Sequence, residues 1–122
     1  LGEIALRRSE YEEARRRYEE ALPLYERFGD LLGKANCIIR LGDIALARSE
    51  HEQTRTHYLQ ALSLYESISE PYSIGHAHRC LARLAPNEQA RQQHLTAARE
   101  AWSRIGRPDL VQQLDEEFGK EP

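Results

Sequence analysis

Residues 1–30 read LGEIALRRSEYEEARRRYEEALPLYERFGD, and residues 41–70 read LGDIALARSEHEQTRTHYLQALSLYESISE. Laid over each other without a gap, the two stretches agree at 16 of 30 positions. The differences fall almost wholly on charged or small residues. Self-similarity at a fixed offset of 40 residues is the mark of a helical solenoid, in which each unit buries its apolar face on the next. A third unit begins at Leu81, Ala82, Leu84 and Ala85, which stand 40 residues after Leu41, Gly42, Ile44 and Ala45. It then shortens: Leu95, Ala98, Trp102 and Ile105 take the places of Tyr18, Ala21, Tyr25 and Phe28. A divergent last unit suits a terminal repeat, one face of which has no neighbour to cover it.

Within each unit the apolar residues keep helical steps. Tyr18, Ala21, Leu22 and Tyr25 recur at three- and four-residue intervals, as do Tyr58, Ala61, Leu62 and Tyr65, so each helix carries one stripe to bury. Ser9 with Glu12 and Ser49 with Glu52 have the spacing of capping boxes, in which hydroxyl and carboxylate satisfy free N–H groups at a helix start. Each box is expected to open the second helix of its unit. Asn87 is the matching cap in the third. Gly29 with Asp30, Ser69 with Pro71, and Gly106 with Pro108 mark stops and restarts between units. These signals predict an all-α fold of about seven helices, over 1–8, 11–28, 31–48, 51–67, 71–84, 88–104 and 109–118. The corresponding units are a truncated first repeat at 1–29, repeats at 30–69 and 70–106, and a last helix within 107–119. Gly42, Ala21 and Ala61 are read as small residues that let helices approach closely.

At 122 residues the chain is a single domain in size. Its 40% hydrophobic and 30% charged residues, with 7 Gly and 5 Pro, describe a helical protein with a charged surface rather than a disordered chain. A net charge of −3 supplies no field that would draw it to nucleic acid or an anionic membrane. No apolar run reaches the roughly 18 residues of a membrane helix. Cys37 and Cys80 are too few for a disulfide framework, and reduced thiols in a cytoplasmic setting are expected.

The Leu-Gly pairs Leu1-Gly2 and Leu41-Gly42, with Ala14, Tyr18, Ala21, Tyr58 and Ala61, resemble the tetratricopeptide repeat. Thr54 keeps the small position of that pattern only approximately. The pattern's proline near the end of the second helix is missing, and 40 residues replace the usual period of about 34. The likeness is therefore to a longer-helix variety, over about residues 1–106. It implies a non-catalytic scaffold that holds a protein or peptide segment, in the setting of a signalling or regulatory protein. It also implies that the first helix of each pair lines a concave, ligand-holding face. On that basis the outward residues are Asn36, Arg40 and Asp43 in the second unit, and His76, Arg79, Cys80 and Arg83 in the third. The first unit retains only Glu3 and Arg7. The partner-binding set is thus Asn36, Arg40, Asp43, His76, Arg79 and Arg83. Guanidinium forks suit carboxylates, so an acidic peptide or a free C-terminus is the expected ligand. The competing reading is a solvated surface with local pairs such as Arg40 and Asp43. Some members of the family clamp a chaperone's C-terminal carboxylate with a Lys/Asn/Arg set. Here His76, Cys80 and Arg40 stand where other residues would be wanted, and that activity is not carried over.

By register, Leu1 and Gly2 fall in the middle of a helix. Further repeats are expected upstream, making this the C-terminal end of a longer array. Leu1, Ile4 and Ala5 are then an apolar edge for self-association, and an oligomerisation module of a larger regulatory ATPase or transcriptional regulator is the alternative function. In residues 108–119, PDLVQQLDEEFG, the apolar Leu110, Val111, Leu114 and Phe118 share one face and the acids another, as in a capping helix. His76 and Cys80 are four apart on one helix face, but two ligands do not make a metal site, and no metal or cofactor is expected. No phosphate loop, G-x-S-x-G or HExxH motif is present, so no enzyme activity is expected. A nucleic-acid-binding helical repeat is the remaining alternative. The arginines at 79, 83, 91, 99, 104 and 107 favour it, while the acids that follow and the lack of exposed stacking aromatics count against it.

Overall fold

The computed structural model describes residues 2–119, and the side chains among them from Arg7 onward. Among these residues there are six α-helices and no strand: α1 (Gly2–Phe28), α2 (Leu31–Ala47), α3 (His51–Ser67), α4 (Pro71–Arg83), α5 (Glu88–Arg104) and α6 (Pro108–Phe118). The fold is an all-α helical repeat in which consecutive helices pair.

Among the described residues the expectation of about seven helices is corrected to six, because α1 runs unbroken from Gly2 through Ser9 to Phe28, with no break between the first two expected helices. Residues 7–14 contain neither Gly nor Pro and are mostly Arg, Glu and Ala, strong helix formers. Nothing local obliges a break, and the straight helix keeps its backbone hydrogen bonds internal. The Ser9–Glu12 capping box is therefore not used. Pro23 also lies inside α1, where it withholds one N–H from the helical ladder.

The expected capping box at Ser49 and Glu52 is overturned as well. Ser49 adopts φ 59°, the left-handed region, and ends α2 rather than opening α3. Its N–H donates to the Leu46 carbonyl at 3.0 Å, and the N–H of Glu50 reaches back to Ala45 at 2.8 Å. These two bonds constitute a Schellman motif. The same pair recurs at Gly29 (φ 69°) with Asp30, at Ser69 (φ 51°) with Glu70, and at Gly106 (φ 65°) with Arg107. In each case the residue after the left-handed one also begins the next helix. Asp30 accepts from the Gly33 N–H at 2.8 Å, Glu70 accepts from Ser73 at 2.9 Å, and the Glu50 carbonyl takes the Thr54 N–H at 3.0 Å. Four junctions thus have no loop at all. Only α4 and α5 are joined by a longer connection, closed by Asn87, which accepts from the Ala90 N–H at 2.8 Å.

The chain forms two compact units, Leu1–Leu64 and Tyr65–Pro122, with the boundary inside α3. In the first, α1 packs on α2. Its buried residues include Ala35, Ile38, Ile39, Leu41, Ile44, Tyr58 and Ala61. Glycines seat the aromatic rings: a Cβ on Gly42 would fall 2.7 Å from Tyr58, and one on Gly33 would collide with the Tyr25 ring. Thr54 is tolerated at its fully buried position because its hydroxyl donates to the Glu50 carbonyl at 2.8 Å. In the second unit, α4 packs extensively on α5, and α6 on α5. The core there consists of Ala82, Leu95, Ala98, Trp102, Leu110 and Leu114, with Val111 and Phe118 half-buried against it.

Candidate partner-binding surface

In the first unit, Asn36, Arg40 and Asp43 follow one another at helical spacing along α2, with Asn36 and Arg40 exposed and Asp43 half-buried. Arg40 donates to one oxygen of Asp43 at 2.9 Å, and the Tyr58 hydroxyl donates to the other at 2.6 Å. Asp43 therefore anchors Arg40 to the α3 side of the helix pair. Just past the end of α2, Arg48 pairs with Glu12 of α1.

In the second unit, His76, Arg79 and Arg83 lie on α4, and each has a specific neighbour. His76 Nε2 is 3.8 Å from the Cys80 sulfur. The expectation that Cys80 points outward is corrected: it is 3% exposed and packs as a small apolar residue. Arg79 and Arg83 converge on one carboxylate of α6. Arg83 donates through Nε to Glu117 Oε2 at 2.6 Å and through Nη2 to Oε1 at 2.8 Å, and Arg79 Nε reaches Oε1 at 3.0 Å. Hydrogen bonds from Arg83 first, and then from Arg79, hold the Glu117 carboxyl below the usual carboxylate range despite the opposing cost of its partial burial. A third arginine, Arg99 of α5, is 8% exposed. It donates to Asp115 at 2.9 and 3.2 Å and to the Gly119 carbonyl at 3.1 Å.

The structure thus brings Arg79 and Arg83 together around an acid and ties Arg40 to Asp43. Sequence reasoning left Glu117, Asp115 and Arg99 out of the partner-binding set. Their signal was present in weak form: Asp115 adjoins buried Leu114, and Glu117 adjoins half-buried Phe118, which places both acids at the edge of the packed face. His78, two residues from His76, points into the α4–α5 contact, where its Nδ1 lies 3.0 Å from that of His94. Burial, and secondarily the His94 charge, push its pKa down to about 4. Among the described residues no three His, Cys, Asp or Glu side chains gather as a metal site would require. Nor is any described helix long and apolar enough to cross a membrane.

The apolar edge assigned to Leu1, Ile4 and Ala5 lies outside the described side chains. A different apolar group is exposed where α1 meets α2, made of Leu24, Phe28, Leu31 and Leu32.

A profile described as the tetratricopeptide repeat matches residues 1–67. The chain belongs to the tetratricopeptide repeat family. Comparisons with curated proteins and with solved structures return no match. The tetratricopeptide match takes in α1, α2 and α3, and with them Asn36, Arg40 and Asp43; it stops short of His76, Arg79 and Arg83. Membership in this family suggests a protein–protein interaction scaffold, and protein is the partner class.

Proposed function

We propose that this tetratricopeptide module is a non-catalytic holder of an acidic segment of a partner protein, gripped through the polar faces of its first helices. These are the first helices of the second and third sequence repeats: α2 carries Asn36, Arg40 and Asp43, and α4 carries His76, Arg79 and Arg83. One observation carries the reading. Arg79 and Arg83, a single turn apart, close on both oxygens of one carboxylate, the geometry by which guanidinium forks recognise acids. Fork recognition of this kind gives direction as well as charge, so a carboxylate in the right pose is favoured over diffuse negative charge.

The test is affinity capture from the native extract with the wild-type chain and with an R40E/R79E/R83E variant, both checked for helix content by circular dichroism. Arginine-dependent partners are expected to disappear from the variant and to wash off the wild type as salt is raised. An unchanged set of captured proteins refutes the reading.

A further inference from the structure

We infer that α6 is the resident occupant of a helix-binding face on the α4–α5 pair, and that an acidic amphipathic helix of a partner protein takes its place. The chemistry of that partner is written in the occupant. Leu110 and Leu114 are buried in the core, and Phe118 packs against it half-buried. These apolar anchors stand at i, i+4 and i+8. Asp115 and Glu117, at i+5 and i+7, are received by Arg99 from α5 and by Arg79 and Arg83 from α4. The receiving face therefore specifies three apolar anchors on one side of a helix and two carboxylates at its edge.

Two features make the occupant replaceable. First, α6 has only 11 residues, and its N-cap Arg107 makes no side-chain capping bond. A helix this short is marginal by itself in water, so its order depends on docking, whereas α4 and α5 hold each other through a much larger contact. Second, α6 leaves a donor unanswered: Arg99 Nη1 is buried with no hydrogen-bond partner among the described residues. A buried guanidinium N–H without an acceptor is costly, and a partner helix that brings one more carboxylate or carbonyl to Arg99 has an advantage over α6. Against this, α6 is tethered and competes at a high effective concentration. It sets a threshold: weak acidic helices are excluded, and those that satisfy all three arginines are admitted.

This inference rests on the reading that Arg79 and Arg83 take carboxylates, and the experiment separates the two. The probe is a fluorescein-labelled peptide of sequence RPDLVQQLDEEFG, titrated against the full chain and followed by anisotropy and by the emission of Trp102. In a D115N/E117Q variant the tethered helix is weakened, and the probe is expected to bind at least about tenfold more tightly than to wild type. Adding Arg79→Ala and Arg83→Ala should abolish that gain, and a probe with Asn in place of its second Asp and Gln in place of its second Glu should not bind. If D115N/E117Q loses helix content, E117Q alone takes its place. Equal binding by wild type and variant, or equal binding of the charged and neutral probes, overturns the exchange of α6. Loss of exchange while capture stays arginine-dependent sinks only this inference. Exchange that persists while capture ignores R40E/R79E/R83E sinks the proposed function instead.

Discussion

Substituting Gly75 by Ala separates a glycine that is merely permitted in a helix from one that is required there. A Cβ built on Gly75 falls 2.5 Å from Trp102 Cε2 and 2.7 Å from Cδ1, and closer still to Nε1. The ring cannot swing aside cheaply. Trp102 is 2% exposed, and its Nε1–H donates to the Tyr72 carbonyl at 3.0 Å. It also lies in the same cluster as Leu95, Ala98, Leu110 and Leu114, so a displaced ring presses on α6 as well as α5. Overpacking of this kind costs about 1–3 kcal/mol, and weakening the indole hydrogen bond adds about 1 kcal/mol. Alanine recovers about 1 kcal/mol through its better helix propensity. The net expectation is a loss of about 1–3 kcal/mol, or a Tm lower by roughly 4–12 °C for a domain of this size. Trp102 is the chain's only tryptophan, so urea unfolding followed by its emission reports on the site directly, with far-ultraviolet circular dichroism as a check on cooperativity. The wrong sign would be decisive. A glycine with open space above it gains stability on becoming alanine, so a variant equal to or more stable than wild type would refute the claim that Gly75 is the seat of Trp102.

Three further outcomes follow from the geometry. Ser49→Gly and Ser69→Gly should each raise stability by about 0.5–1 kcal/mol, because both serines hold left-handed φ values that glycine adopts without strain; unchanged or lower melting temperatures would contradict the junction geometry. His78 titrates at about 4 in the fold against 6.5 ordinarily, so the unfolded chain takes up the proton first as the solution is acidified. Its contribution is complete above about pH 6.5 and is drained between 6.5 and 4, by about 1–2 kcal/mol once solvent screening is allowed for. The stability difference between wild type and His78→Gln should therefore change across that window, and parallel curves would refute the assignment. Arg99→Met removes the donors of Asp115 and of the Gly119 carbonyl, and is expected to cost about 1–3 kcal/mol and to speed amide exchange in α6 ahead of α4 and α5. Exchange that quickens equally in all three helices would show that α6 is not a separately held element.

The 40-residue repeat made most of the fold legible, because apolar spacing survives in a single sequence. Tyr58, Ala61, Leu62 and Tyr65, the stripe read from three- and four-residue steps, are all buried. Their counterparts Tyr18, Ala21, Leu22 and Tyr25 are only half-buried, a difference that periodicity cannot express, since it ranks faces and not the neighbours that cover them. The serines misled for a related reason. Ser-x-x-Glu is a helix start only if the serine is extended; at Ser49 the returning N–H of Glu50 captures the Ala45 carbonyl and leaves the serine left-handed, while Ser9, with the same neighbours in sequence, stays helical. Local motif and local outcome part company here because packing decides between two conformations of similar energy. For the candidate surface, Arg40 with Asp43 was readable as a three-residue pair. Arg83 with Glu117 was not, because 34 residues and two helix turns of direction separate them and only the tertiary fold closes the distance.

The shared residues at the helix junctions have a mechanical consequence. Asp30, Glu50, Glu70 and Arg107 each finish one helix and start another, so at these four corners there is no slack in which a length error could be absorbed. One residue inserted beside Gly29 would wind the next helix by about 100° about its own axis, turning a buried stripe toward water. Growth and shrinkage of such a chain are therefore quantised: whole corner-to-corner segments can be gained or lost, and single residues cannot. The Leu84–Asn87 connection between α4 and α5, which alone has spare chain, is where an inserted tag or an extra loop should be borne without disturbing either helix pair.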